Sequence, residues 1–576
     1  MEPMRLMVVM GLAAVAATAM QAAPSPMQPQ GSPPPSAPMV MDSQLPMTLA
    51  DWAKGARLYD GLGSHHRKIT TRSVDAQRFF DQGLRLLWAF NHDEATRSFA
   101  RALELDRSCA MCAWGVALTI GPNYNLPMLA EPRAKIAFEA TNRARVLAAS
   151  TTKVEQALIS ALSLRYPDAL PLDPRSAIPV LSSYARAMRD VARRIPSDLD
   201  VQTLFAESLM NIRAWKLWNP DGSPAEGTVE IVATLEGVLA RDPMHMGALH
   251  YYVHAIEASP HPEKGIAAAE RIRGIAPAAG HLEHMPAHIF HRVGRYEDSA
   301  LANRKGAAAD IAYLAMTTPI DYYPTMYASH NYQFLAYSTA AEGREAETLD
   351  AVRRSRASVT DALLREMPGA DWYVAESYAA NVRFGRWDAL LAETPPAPDL
   401  PGLAGGYLYA TAIALAAKNR PVEARERLSQ LERLIGSVSP DAPAGAGQNS
   451  MRDVLTIGAR MAEARIASAE GRTEDELRIL RGTVELEDKL AYDEPSEWFF
   501  PVRHVLGAEL MRYARANEAE RVYRDDLERH PSNGWALFGL AQALKAEGRT
   551  AEAISTDAQF HEAWRYATIQ IEASAF

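Results

Sequence analysis

The feature that most constrains this chain is a repeat near its C-terminus. Leu506, Gly507 and Leu510 precede Ala519, Tyr523 and Pro531, and from Gly534 the matching places hold Leu540, Ala541, Leu544 and Ala553. Ala519 and Ala553 stand 34 residues apart. Small residues at such places let the two helices of a hairpin approach, large apolar residues fill the gaps between them, and proline ends the unit. One hairpin cannot bury its own apolar face, so copies have to stack. An N-terminal copy puts Phe79, Gly83, Leu86, Ala95, Phe99 and Ala102 at the same offsets.

This is the tetratricopeptide (TPR) period. Between the two ends an inter-helix turn recurs as Gly-Arg, at Gly294-Arg295, Gly343-Arg344, Gly385-Arg386, Gly471-Arg472 and Gly548-Arg549. Glycine suits the positive-φ residue that ends a helix. Runs of alternating β-branched residues are absent, so strands are expected to be negligible. The expected fold is all-α, a TPR-like helical-hairpin solenoid wound as a right-handed superhelix. A chain of 576 residues exceeds one ordinary core, as an extended array would. Proline- and glycine-rich joints at 167–174, 219–224, 395–406 and 437–447 subdivide it. The expected organisation is an N-terminal TPR-like helical region over 48–196, a central His-rich helical region over 197–365 and a C-terminal TPR region over 366–576.

The first residues read as an export signal. Arg5 precedes an apolar run from Leu6 to Ala19, too short to span a bilayer comfortably, with small residues following for cleavage. Residues 1–23 are therefore expected to be a signal peptide and 24–47 a Pro/Met-rich disordered linker, giving an exported protein, periplasmic or secreted. No later stretch is apolar enough to predict an integral membrane segment. Net charge is −10 with no Lys/Arg-rich run, which argues against nucleic acid as a partner.

A family resemblance rests on ordered motifs: F-N-H-D-E-A, C-A-M-C-A-W-G-V-A-L-T-I-G-P-N-Y-N, W-K-L-W-N-P-D-G-S-P, G-A-L-H-Y-Y-V-H-A-I-E-A-S-P, H-L-E-H-M-P-A-H-I-F-H-R-V-G-R-Y and S-H-N-Y-Q-F-L. Over roughly residues 65 to 365 the chain resembles a family of exported bacterial TPR proteins without an established activity. The resemblance implies the fold, export and which segments belong together. It implies no mechanism. The family's usual Asp-Pro at the end of the first repeat is Asp106-Arg107 here, a difference confined to a turn.

Chemistry is concentrated in histidine. Nine of the fifteen histidines lie between His245 and His330. His250, His254 and Glu257 fall on one stripe of a helix, and an i, i+4 histidine pair can bind one metal ion. The zincin protease motif is not met, because Tyr251 stands where its general-base Glu belongs. His281, His284, His288 and His291 form a second stripe if their helix is continuous, which Pro286 complicates by favouring the first helical turn. In either case His284 and His288 can face the same side. His245 and His261 flank prolines or loops and are weaker candidates. Cys109 and Cys112 are the only cysteines. In an exported chain they predict a disulfide or packed thiols, since haem attachment needs His where Ala113 stands and two thiolates do not complete a zinc site.

Two readings follow. The first is an exported TPR scaffold that binds a protein, peptide or small ligand in a concave groove lined by Trp215, Trp218, Asp221, Glu257, His330 and Asn331, with the hydroxyls of Tyr251, Tyr252, Tyr322, Tyr323 and Tyr327 completing a hydrogen-bonded network beside the Phe290 ring. The alternative is a metalloprotein, with enzymatic activity left open, in which His250, His254, His284 and His288 are ligands and Glu257 is a ligand or base. All-nitrogen and carboxylate ligands suit a transition metal such as Zn, Cu(II) or Fe(II). Neither an activated-serine elbow nor a nucleotide-binding loop occurs in the sequence.

Overall fold

The computed structural model describes residues 46–317 and 323–575, and all of them belong to one compact unit. The expected signal peptide and nearly all of the linker lie outside the described residues, as does Tyr322. The chain is an all-α array of TPR-type hairpins. The N-terminal ones are built from helices Val74–Trp88, His92–Leu105, Ala110–Ile120 and Glu131–Leu147. The array closes with Val502–Arg512, Ala516–Arg529, Gly534–Ala546 and Thr550–Ala563. Among the described residues the one sheet is a two-residue antiparallel pairing of Pro443–Ala444 with Asn449–Ser450. No helix there is long and apolar enough to cross a membrane.

Packing follows the small-against-large pattern of the repeat. The Phe99 ring lies between Gly83 and Gly115, where an added Cβ would come within 2.8 and 2.4 Å of it. At the other end Tyr523 lies between Gly507 and Gly539 in the same register, with corresponding approaches of 2.4 and 2.1 Å. One aromatic ring thus fills the space that two glycines on flanking helices leave open.

The Gly-Arg turns end their helices in the left-handed region, with φ between 62° and 76°. In the Gly294 turn, Arg295 N–H reaches back to Phe290 O at 2.7 Å, the long backbone bond of a Schellman cap. Phe90, Asn419 and Ala514 take the same place in other hairpins, with φ of 53°, 57° and 56° and the same long bond from the next residue.

Two large apolar cores run along the array, one drawing on residues from Trp52 to Tyr327 and the other on residues from Ala300 to Ala575. The C-terminal hairpins fold back onto the central ones. Gly294 meets the Pro531 carbonyl so closely that a Cβ would sit 2.1 Å from it, and Trp535 Nε1 donates to Ala340 O at 2.8 Å. The Gly343 turn is covered by Trp564, and Thr568 N–H donates to its carbonyl at 3.0 Å. Ala340, Pro531 and Trp535 line a partly open cavity of about 1030 Å³.

Replacing Gly115 or Gly539 by alanine should lower stability by about 1–3 kcal/mol, because the clamped ring has to move. Gly482→Ala, in a helix with nothing within 4 Å of the new Cβ, should instead stabilise by up to about 1 kcal/mol. Urea unfolding of the three variants checks both signs.

Candidate metal centre

Helix Met246–Glu257 carries His250, His254 and Glu257 on one buried face. Gly280–His284 and Pro286–Arg292 follow one another through Met285, whose φ of −50° and ψ of −36° keep the backbone helical. Pro286 therefore does not interrupt the stripe. His281, His284 and His288 all point inward, while His291 contacts Ser338 only at 3.4 Å and faces the cavity. Helix Ser329–Ala341 adds His330, and the segment between Glu487 and Val502 adds Tyr492 and Glu494.

Two trios of imidazoles result, His250 with His254 and His281, and His284 with His288 and His330. Within each trio the possible ligand atoms lie within 4.8 Å of one another. His250, His254, His284 and His288 are at most 1% exposed. Burial, followed by the charge of neighbouring histidines, holds His250, His281 and His284 well below the ordinary imidazole range. Burial and then His288 bring His330 down to about 3. Burial also lowers His254, against the opposing pull of Glu257. Neutral imidazoles are the form that binds metal.

The outward-facing nitrogens are committed. His250 Nδ1 donates to Trp88 O at 2.6 Å. His284 Nδ1 donates to Asn303 Oδ1 at 2.6 Å, and the amide orientation is set because Asn303 Nδ2 donates to Ser299 O at 2.8 Å. His330 Nδ1 donates to Gln333 Oε1 at 3.1 Å, with Gln333 Nε2 donating to Glu376 at 2.8 Å. Glu257 accepts from His254 Nδ1 at 2.8 Å through one oxygen and from His288 Nδ1 at 2.5 Å through the other. Glu494 also contacts His288 Nδ1. Such outer partners fix tautomer and ring orientation in metal-binding histidines.

The inward nitrogens converge. His284 Nε2 and His288 Nε2 are 2.6 Å apart, and His250 Nε2 and His281 Nε2 are 3.1 Å apart. Where both Nδ1 atoms of the first pair donate, the two Nε2 lone pairs face each other and a proton or a metal ion between them relieves the repulsion; a proton makes the contact an N–H···N hydrogen bond. Two nitrogens on one tetrahedral ion with bonds of about 2.0–2.1 Å are roughly 3.3 Å apart, so the His250–His281 separation fits that bite and the His284–His288 pair has to open by under 1 Å. His254 Nε2 is buried without a hydrogen-bond partner.

The carboxylates divide their roles. Burial alone would raise the Glu257 carboxyl, but His288 and hydrogen bonds from Glu494, His254 and His288 hold it well below the usual range. Burial and then the Glu257 charge push Glu494 well above it. Tyr492 OH also donates to Glu257, at 3.0 Å.

Each trio rests on a phenylalanine. The Phe90 ring lies 4.3, 5.5 and 5.4 Å from His250, His254 and His281, and Phe334 lies 5.3, 5.0 and 5.5 Å from His284, His288 and His330. Trp215, another non-glycine residue with positive φ (65°), stacks on Tyr124 at 5.4 Å and meets His254 edge-on at 6.1 Å. Trp215, Trp218 and Asp221 line the cavity, and Trp218 Nε1 donates to Ala255 O at 2.8 Å. Glu257 lies behind the histidines and His330 within the second trio. Asn331 does not face the cavity; it is buried and donates to Asp310 at 2.6 Å.

A further His-carboxylate group is closed. His245 Nδ1 accepts from Ala248 N–H at 3.1 Å, so Nε2 carries the proton and donates to Asp200 at 3.1 Å. His65 and Arg67 take the remaining capacity of that carboxylate. His261 is largely exposed beside Glu263. Cys109 and Cys112 are buried and bonded to each other, so neither sulfur is free to ligate.

No protein-family model and no curated protein matches this chain. Among solved structures, the P58(IPK) TPR domain is 12% identical, over 83% of this chain and 99% of its own, with a TM-score of 0.22. Yeast Tom70 is 11% identical over 84% and 99%, with a TM-score of 0.28. A human IFIT1 dimer bound to m7Gppp-AAAA is 10% identical over 90% and 100%, with a TM-score of 0.31. Likenesses this weak carry no function over to this chain.

Two outcomes are expected here. Phe90→Gly relieves a left-handed backbone costing about 1 kcal/mol but removes a buried ring worth about 3–5 kcal/mol, so the denaturation midpoint should fall; an unchanged midpoint would show that the ring does not seat the first trio. Thiol titration of the denatured protein should find no free thiol before reduction and two after it.

Proposed function

We propose that this protein is a metalloprotein, a TPR scaffold whose central histidines bind transition-metal ions beside a cavity for an organic ligand. The single observation behind this reading is the 2.6 Å approach of His284 Nε2 to His288 Nε2, two buried rings whose Nδ1 atoms face the Asn303 amide oxygen and the Glu257 carboxylate. A network built only for stability would pair donors with acceptors. Here inward acceptors are gathered and outward donors are satisfied, the polarity a cation requires. The ligand set includes the four histidines singled out by helical spacing and extends to His281 and His330. Nitrogen-rich coordination favours Zn, Cu(II) or Fe(II) over Mg or Ca.

The cavity supports the companion role of ligand binding. Trp215 and Tyr492 line it and also touch the cluster or its carboxylate, so a small molecule or a peptide side chain held there would lie next to the centre. Its volume is at the upper end for small-molecule sites. Export to an oxidising compartment belongs to the same proposal and agrees with the bonded Cys109 and Cys112.

The test is elemental analysis of the purified mature chain, made without a metal-binding tag, beside His284→Ala/His288→Ala. Stoichiometric metal in the native protein, lost in a variant that keeps its helical circular dichroism, is the expected result. Metal below stoichiometry in the native protein, even after incubation with Zn(II) or Cu(II), would leave only the scaffold.

A further inference from the structure

We infer that the centre is dinuclear, with three histidines on each of two ions: His250, His254 and His281 for one, and His284, His288 and His330 for the other. The inference rests on the metalloprotein reading above and extends it from a cluster to a stoichiometry and a division of ligands.

Three observations carry it. First, one ion cannot use all the converging nitrogens. A tetrahedral ion takes four ligands and an open catalytic one three from protein, whereas six imidazoles form two close trios, with His254 and His288 also grouped across them beside Glu257 and Glu494. Each group contains its own short contact, His250–His281 at 3.1 Å and His284–His288 at 2.6 Å.

Second, the surroundings are duplicated. Phe90 contacts every ring of the first trio and Phe334 every ring of the second. In each trio at least two rings have Nδ1 tied to an outer acceptor: Trp88 O and Glu257 for the first, Asn303, Glu257 and Gln333 for the second.

Third, the two groups are joined. Glu257 holds His254 of one trio with one oxygen and His288 of the other with its second. Rings of the two trios meet at 5.3 Å (His254 with His288) and 5.7 Å (His281 with His284). The sites are therefore neighbours. Direct contacts between Glu257 and the Nδ1 atoms make this carboxylate a positioning residue for both ions, while the Nε2 atoms are the ligands. The set of ligands has no sulfur, and three neutral imidazoles per ion suit Cu(II) or Zn(II).

The experiment uses the full mature chain, stripped of metal and reloaded with Zn(II) or with Cu(II), and reads metal per chain after gel filtration. Two ions per native chain are expected, falling to one in His250→Asn and to one in His330→Asn. Electron paramagnetic resonance of the Cu(II) form should show the half-field or broadened signal of a close pair, replaced in either variant by that of an isolated ion. Glu257→Gln should weaken both ions, by roughly 10–100-fold each as for other outer partners. One ion per native chain, without a pair signal, overturns the dinuclear centre and leaves the metalloprotein reading standing. No ion at all overturns both. The native stoichiometry decides even where a variant fails to fold.

Discussion

The arrangement of the histidine cluster depends on one type of interaction, the hydrogen bond that five of its six imidazoles make through an outward Nδ1. A backbone carbonyl, two side-chain amides and one carboxylate supply those acceptors. With Nδ1–H committed, Nε2 becomes an acceptor and can only look for a cation or a donor. His254 Nε2 finds neither, and an unsatisfied buried nitrogen costs about 1–3 kcal/mol. Gathering several such atoms works against stability, and the two large apolar cores of the chain offset it.

The scaffold makes this affordable through its packing rule. Glycine pairs clamp Phe99 and Tyr523 at opposite ends of the array, and rigid hairpins between them set helix positions closely enough for nitrogen atoms to converge. The array also returns on itself. Contacts of Gly294 with Pro531 and of Trp535 with Ala340 bring the segment before Val502 against the central helices. Tyr492 and Glu494 thereby reach Glu257 and His288 across more than two hundred residues of sequence.

Helical spacing made part of this legible. The 34-residue period and the Gly-Arg turns announce hairpins, and the i, i+4 pairs His250/His254 and His284/His288 announce inward stripes. Pro286 obscured the second stripe because proline lacks one N–H, yet a helix tolerates it in a first turn and Met285 stays helical here. His330 carried no periodic signal of its own; its role follows from where Ser329–Ala341 packs. Glu494 lies on a loop with no helical register, and nothing in A-Y-D-E-P-S-E links it to a histidine far upstream. Phe90 was visible only as part of a motif. Its meaning lies in φ of 53° at a place where other hairpins use glycine.

A phenylalanine in the left-handed region costs roughly 1 kcal/mol or more relative to glycine, and a helix end needs no ring there. Asn419 and Ala514 fill the equivalent place with small side chains. Phe90 is retained in that conformation with its ring among three imidazoles, and Trp215, also at positive φ, touches one of the same rings from the cavity side. Strain of this kind persists where surrounding contacts over-determine it. Both residues border the first trio, one beneath it and one between it and the cavity. From that cavity the polar connection runs through Tyr492 OH to Glu257, and from Glu257 to His254 and His288. A ligand that shifts Tyr492 would alter the charge held by the one carboxylate both trios share. On the proposed metalloprotein reading, binding in the cavity would be coupled to the state of the centre through this chain of hydrogen bonds.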